Sequence, residues 1–433
     1  MRAGFARQTI TPQKSMHMAG FDRRKDPSVG TLDELEVCVL VMEDQRGFPF
    51  LMCVFDLLGT DSHLCVHVRQ AVASKLQIPS ERIWVLATHT HSAPTGHFSE
   101  YQSYDVMYVD YLTKQAVSAA AQALENLRQV EVSTALTRVS DIASLRNRGR
   151  EGSHFPMPLP LVFLGEHVLA RITCHPTVLD EKNLLYSRDL PGQLRDGLSP
   201  SRSCLVINDP CADLSTRFTR HASNPEELKR LGRILTDAVR TAGAHSDPAL
   251  SDPAQSDPPQ SAPAQSDPPQ SDSNFGKEIK TAERVIYLSR TASLRGEQKD
   301  AILTALRQKA AACTDLQALR EYDSRIAVLE RSDVGAEKNR MIRIGAVNFG
   351  GTILVGVPFE VDYADGSDLE YTLSQIAKQD VHLVCYTFGY DGYLPSGAPL
   401  SAESSYEDIA SRYLPQSREQ VWECAKQCVK DVI

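Results

Sequence analysis

Ile83-Trp84-Val85-Leu86-Ala87-Thr88-His89-Thr90-His91-Ser92-Ala93-Pro94 joins a short apolar run to a polar segment with two histidines two positions apart. A run this short, rich in β-branched and aromatic side chains, reads as a strand buried on both faces. Side chains two apart on a strand share a face, so His89 and His91 are expected side by side at the strand's end. Two imidazoles so placed suit a metal ion or a shared proton. The spacing also occurs without either, so its meaning depends on the rest of the chain.

Outward from this segment strands and helices alternate. Strands are predicted at Arg2 to Thr11, Leu35 to Met42, Phe50 to Leu57, Pro160 to Leu164, His167 to Cys174, Cys204 to Ile207, Ala346 to Val357 and Val381 to Thr387. Helices are predicted at Ser62 to Lys75, Val109 to Leu127, Pro225 to Thr241, Gly296 to Ala311, Leu316 to Arg331, Asp365 to Lys378 and Ser417 to Val429. The class is α/β, with mixed β-sheets flanked by helices in one large domain made of residues 1–245 and 274–433. Residues 246–273 repeat a five-residue unit of the type Ser-Asp-Pro-Ala-Gln. With nothing aromatic to bury and prolines at short intervals, this segment is expected to be a disordered low-complexity insert.

The 433 residues carry a net charge of −9 with no stripe of basic and aromatic residues, which argues against nucleic acid as a partner. No apolar run approaches about 18 residues, and Arg2 and Arg7 interrupt the place where a signal sequence would need apolar residues. The ten cysteines contain no Cys-x-x-Cys, which reads as reduced core thiols in a cytoplasmic protein without a transmembrane segment.

Further ligands are sought where apolar strands end, since α/β proteins build sites there. Four places qualify: His175-Pro176, Asp213-Leu214-Ser215, Glu360 after Val357-Pro358-Phe359, and Gly392-Tyr393. Each has a plain structural reading as well, as a strand or helix cap, a surface acid at a turn or a packing aromatic.

Taken in order, these residues resemble the neutral/alkaline non-lysosomal ceramidase family, and its shorter bacterial relatives in particular. Gly4-Phe5 and Thr9-Ile10-Thr11-Pro12 look like that family's opening strand and turn, and Thr88-His89-Thr90-His91-Ser92 like its Thr-His-Thr-His-Ser. His175-Pro176 with Asp189-Leu190-Pro191-Gly192, Asp213-Leu214-Ser215, Pro358-Phe359-Glu360, Gly392-Tyr393-Leu394-Pro395 and Tyr406-Glu407 follow in family order. The resemblance implies a catalytic domain with one Zn²⁺ per chain held by His89, His175, Glu360 and Tyr393. It further implies His91 for proton transfer, Ser215 to orient water or attack, and Tyr406 as an oxyanion donor. An arginine beside the oxyanion is expected from Arg146 or Arg148, with Arg148 favoured by the preceding Asn147. The implied reaction is hydrolysis of the amide bond of an N-acylated amine, either ceramide-like or a smaller metabolite.

Ala93, Thr95, Ala212 and Phe359 stand where the family has glycine, and Thr216 where it has proline. An added Cβ reshapes a pocket, so these departures bear on the substrate more than on the metal. Two other readings remain at this stage. One is a relic of the fold that binds a ligand or partner without turnover. The other is an amidohydrolase barrel, in which His175 and His221 would join the His-x-His pair.

Overall fold

A computed structural model describes residues 1–100, 102–146, 153–246, 270–271, 275–290, 297–331 and 338–433. Three sheets carry the fold. The first has the order Ile83–Ala87, Pro49–Phe55, Glu36–Glu43, Arg2–Thr9, Arg128–Gln129. The second runs Ser203–Asn208, His167–Ile172, Met157–Leu164, Val132–Val139, Gln270–Ser271, and the third Lys280–Arg290, Lys338–Asn348, Thr352–Gly356, Asp380–Val384. At one edge of each sheet antiparallel pairing gives way to a parallel pair: Pro49–Phe55 with Ile83–Ala87, His167–Ile172 with Ser203–Asn208, and Thr352–Gly356 with Asp380–Val384. Parallel strands need a long crossover. Here each crossover carries a helix, respectively Ser62–Leu76, Asp189–Leu198 and Tyr363–Ala377.

The strands alternate between two buried surfaces, which is why they read as continuous apolar runs. Leu40, Met52 and Trp84 of the first sheet meet Leu169 and Leu205 of the second and Leu354 and Val384 of the third in a shared centre. The opposite faces are covered by helices: Val39, Cys53 and Val85 lie under Leu64, Val68 and Leu112, while Ala170 and Val206 lie under Leu194 and Leu231. Trp84 fixes the junction, its ring meeting Phe50 and Phe388 edge-on at 5.5 and 5.3 Å.

The three parallel pairs are knitted together at their C-terminal ends. Cys385 N–H donates to Asn208 O (3.0 Å), and Phe388 N–H to Val85 O (2.9 Å). The loops leaving all three pairs therefore start from one place, the crevice position where α/β sheets hold ligands.

The expected α/β class with mixed sheets and flanking helices is what the chain forms, with corrections. The strand expected over Ala346 to Val357 is two, because Gly350 at φ 99° lets the chain turn back and Phe349 N–H bond Thr352 O at 3.0 Å. The helix expected from Val109 begins at Val106, where the Asp105 carboxylate accepts from Met107 and Tyr108 N–H. Unforeseen elements are the strands Val132–Val139 and Lys280–Arg290 and the helix Asp189–Leu198. Of the insert at 246–273, Ser246 ends the helix Pro225–Ser246 and Gln270–Ser271 pair with Ser133–Thr134; the rest lies outside the described residues. The sheets are not an eight-stranded parallel barrel, and His221 is exposed beside Glu227, so the amidohydrolase barrel is excluded. All ten cysteines are free thiols, nine of them buried. Among the described residues no helix is long and apolar enough to cross a membrane.

Candidate metal centre

His89 lies just beyond the first parallel pair, and its backbone is left-handed, with φ 65°. A non-glycine residue in that region is strained and persists only where its surroundings hold it. Three contacts do so. Thr88 hydroxyl donates to Asp56 Oδ1 (3.1 Å), His89 Nδ1–H donates to Leu58 O (2.6 Å), and the His89 ring stacks on Tyr386 at 4.1 Å and 6°. Tyr386 is itself left-handed at φ 57°. The strand ends at Ala87, so a turn, not the shared face of a strand, brings the pair together. It does so closely: His91 Nε2 is 3.3 Å from His89 Nε2.

His175 leaves the second parallel pair. Its Nδ1–H points at Cys211 O (2.8 Å) and Leu214 O (3.1 Å). Glu360 leaves the third, with Oε2 at 3.0 Å from His175 Nε2 and 3.4 Å from His89 Nε2, while Oε1 accepts from Tyr390 hydroxyl at 2.6 Å. A carbonyl can only accept, so both Nδ1 atoms carry the ring proton and both Nε2 atoms present lone pairs inward. Lone pairs facing a carboxylate oxygen at these distances call for a proton or a cation between them. Around tetrahedral zinc with bonds of about 2.0–2.1 Å, neighbouring ligand atoms sit about 3.3–3.4 Å apart. The separations of 3.0, 3.3 and 3.4 Å here fit that figure, and the ring nitrogens that His89, His91 and His175 could offer a metal all lie within 4.8 Å of one another.

The electrostatics follow from burial. Burial alone would raise the Glu360 carboxyl, but the His89 and His175 imidazoles beside it hold it well below its ordinary range. Burial, then His89 and His175, push His91 well below the usual imidazole value, and burial lowers His175 as well. His91 Nδ1 is buried with no hydrogen-bond partner among the described residues.

Tyr393 comes from the loop after the third pair, its backbone bridged to Glu360. Its hydroxyl accepts from Arg146 Nη2 at 3.2 Å, and Arg146 is fixed by Glu407 Oε1 at 2.7 and 2.9 Å. Burial opposes the Arg146 charge, but Tyr393 and Glu407 outweigh it and hold the group firmly cationic. Burial and Glu360 keep Tyr393 a neutral phenol. The Tyr406 ring meets Tyr393 edge-on at 5.8 Å, and its own hydroxyl is pushed up to about 12, chiefly by burial. Ser215 is buried, its backbone bridged to His175 and its Oγ accepting from Arg217 N–H at 3.3 Å. Asp213 instead accepts from Tyr363 N–H at the start of a helix (2.9 Å), the structural reading of that residue. Arg148 lies outside the described residues; Arg146 is the arginine found beside Tyr393.

Sequence reasoning missed Tyr386, which stacks on His89, and Tyr390, which holds Glu360. Their signal was faint: two tyrosines four apart at the end of the strand Asp380–Val384, in the stretch that also carries Tyr393.

The fold and the histidine cluster define an α/β protein with a buried site capable of holding a metal ion. No family model and no curated protein sequence matches the chain. Among solved structures it is similar to neutral ceramidase from Pseudomonas aeruginosa, with a TM-score of 0.73 and 16% identity over 99% of this chain and 74% of that one. It is also similar to a ceramidase complexed with C2, with a TM-score of 0.73, 14% identity and the same coverages. At such identity the likeness establishes a shared fold.

Proposed function

We propose that the chain is a zinc-dependent amidase that hydrolyses an N-acylated amine, with His89, His175, Glu360 and Tyr393 holding one Zn²⁺ per chain. The observation that carries this reading is the convergence of two Nε2 lone pairs on one carboxylate oxygen, at 3.0 and 3.4 Å, each group oriented from behind by a carbonyl or a tyrosine hydroxyl. Zinc bound there supplies a water of lowered pKa and polarises the amide carbonyl. The chain's own groups do the rest. His91, uncharged through burial and with Nδ1 unpartnered, can carry a proton to the leaving amine. Arg146 and Tyr406, on the Tyr393 side, offer donors to the oxygen that gains charge. Ser215, held against His175, orients water.

A second reading of His91, as a further nitrogen ligand, is favoured by its 3.3 Å separation from His89 Nε2. One set of variants separates these possibilities. His89→Ala and His175→Ala should lose zinc and hydrolysis together, whereas His91→Ala and Ser215→Ala should keep zinc and lose rate. Zinc loss from His91→Ala would make it a ligand. Near-normal turnover by both His91→Ala and Ser215→Ala contradicts the assigned roles, and a zinc-loaded chain that cleaves no N-acyl amide supports the relic reading. The fold it shares and the zinc site together support an N-acyl substrate, either ceramide-like or smaller.

A further inference from the structure

Resting on the amidase reading above, we infer that the substrate carries a carboxylate beside its amide, as an N-acyl amino acid does, and that Arg217 recognises it. The rim of the site is charged. Tyr406 lies in the field of Asp22, from the segment whose Phe21 ring sits 4.9 Å from the His91 ring. Next come Arg146 with Glu407, then Arg217 with Glu321, which Arg325 also approaches at 3.7 Å. An alkyl chain entering here would desolvate these charges without replacing their partners.

The cations of the rim differ in what they hold. Arg146 gives Nε and Nη2 to Glu407 and Tyr393, and Arg24 donates from Nη1 and Nη2 to the carbonyls of Ala19, His91 and Asp180. Arg220 donates to the carbonyls of Thr177 and Val178. Arg217 has one ion pair, Nη1 to Glu321 Oε1 at 3.1 Å, and its other guanidinium donors have no protein acceptor among the described residues. Its side chain is 36% exposed and Glu321 is 21% exposed. Glu321 belongs to the helix Leu316–Arg331, outside the three crossover units that carry the histidines and Glu360.

Arg217 is therefore a planar fork with donors to spare, which matches a carboxylate in two-point contact. Position adds the rest. The Arg217 backbone N–H bonds Ser215 Oγ, and its guanidinium lies in the field of Arg146 and Glu407, so a carboxylate held there sits on the Ser215 and Arg146 side of the site. Glu321 occupies part of the fork until the substrate displaces it. Arg217 is thus a specificity-determining residue.

The test compares N-acetyl amino acids with their neutral carboxamides and with a short-chain ceramide, on the zinc-loaded full chain. The free acid should be favoured in kcat/KM by about tenfold or more, the scale of a hydrogen bond to a charged group. Arg217→Met should abolish that preference through KM, leaving bound zinc and carboxamide turnover unchanged, and Arg217→Lys should restore part of it. Calorimetric binding of the N-acetyl amino acid to metal-free protein should weaken equally in Arg217→Met, a readout that needs no turnover. Equal use of acid, carboxamide and ceramide by the wild type would overturn the carboxylate inference and leave the amidase standing. Hydrolysis of none of them, with zinc bound and the acid still binding through Arg217, would overturn the amidase and keep the recognition site. Failure of both turnover and binding removes both.

Discussion

The histidine wall of the site is made by the ends of three crossover units, while its rim comes from a loop near the N-terminus, the helix Leu316–Arg331 and the short helix Tyr406–Ala410. His89, His175 and Glu360 are each 2% exposed or less, and each is held from behind by another group. Arg217 and Glu321 are part-exposed and hold chiefly one another. Geometry that must be met to a few tenths of an ångström is built on strand ends locked into a core. Contacts that choose among substrates sit on elements that can differ without disturbing that core.

Breaking the inner wall should have the largest effect. His175→Ala should abolish both metal binding and hydrolysis, measured by metal analysis and by amine release, while the far-ultraviolet spectrum stays that of the wild type. Arg195→Ala should act on the frame behind the wall. It leaves Asp56 buried without its ion-pair partner, and Asp56 supports Thr88 beside His89. Removing one member of a buried pair costs about 3–5 kcal/mol, to be read as a shift in urea midpoint.

Asp189 offers a smaller, pH-dependent test. Burial raises its carboxyl to about 6 from the ordinary 3.8, against hydrogen bonds from Leu179, Leu190 and Val178 N–H. The folded chain thus keeps a proton between pH 3.8 and 6 that the unfolded chain has released. Stability from this group is present below that window and is lost as pH rises through it, on the order of 3 kcal/mol in all. Asp189→Asn should flatten that slope in unfolding curves recorded across the window. The smallest effect belongs to Tyr390→Phe, which removes the donor to Glu360 Oε1. Zinc affinity should fall about tenfold, as for other groups that orient a ligand, with the unfolding midpoint nearly unchanged.

The comparison also shows what a sequence exposes. His89, His175 and Glu360 were legible because each is a polar residue ending a run that must be apolar to be buried on two faces. Tyr386 and Tyr390 were not, because their roles depend on left-handed turns at Tyr386 and Phe388 that no periodicity announces. The helix Asp189–Leu198 was hidden by Pro191 and Gly192, although proline is tolerated in a first turn and a Cβ on Gly192 would lie 2.4 Å from Arg188 Cβ. The strand Lys280–Arg290 was hidden because it is an edge strand, with Leu288 its one buried residue and charges along its length. The rim was least legible, since a charged pair such as Arg217 and Glu321 joins residues 104 positions apart.

The most direct measurement is the metal content of the purified wild-type chain beside His175→Ala, after both are exposed to the same zinc and dialysed. Close to one zinc per wild-type chain and none in the variant is the expected result. A wild-type chain that retains no zinc, or a variant that retains as much as the wild type, would contradict it.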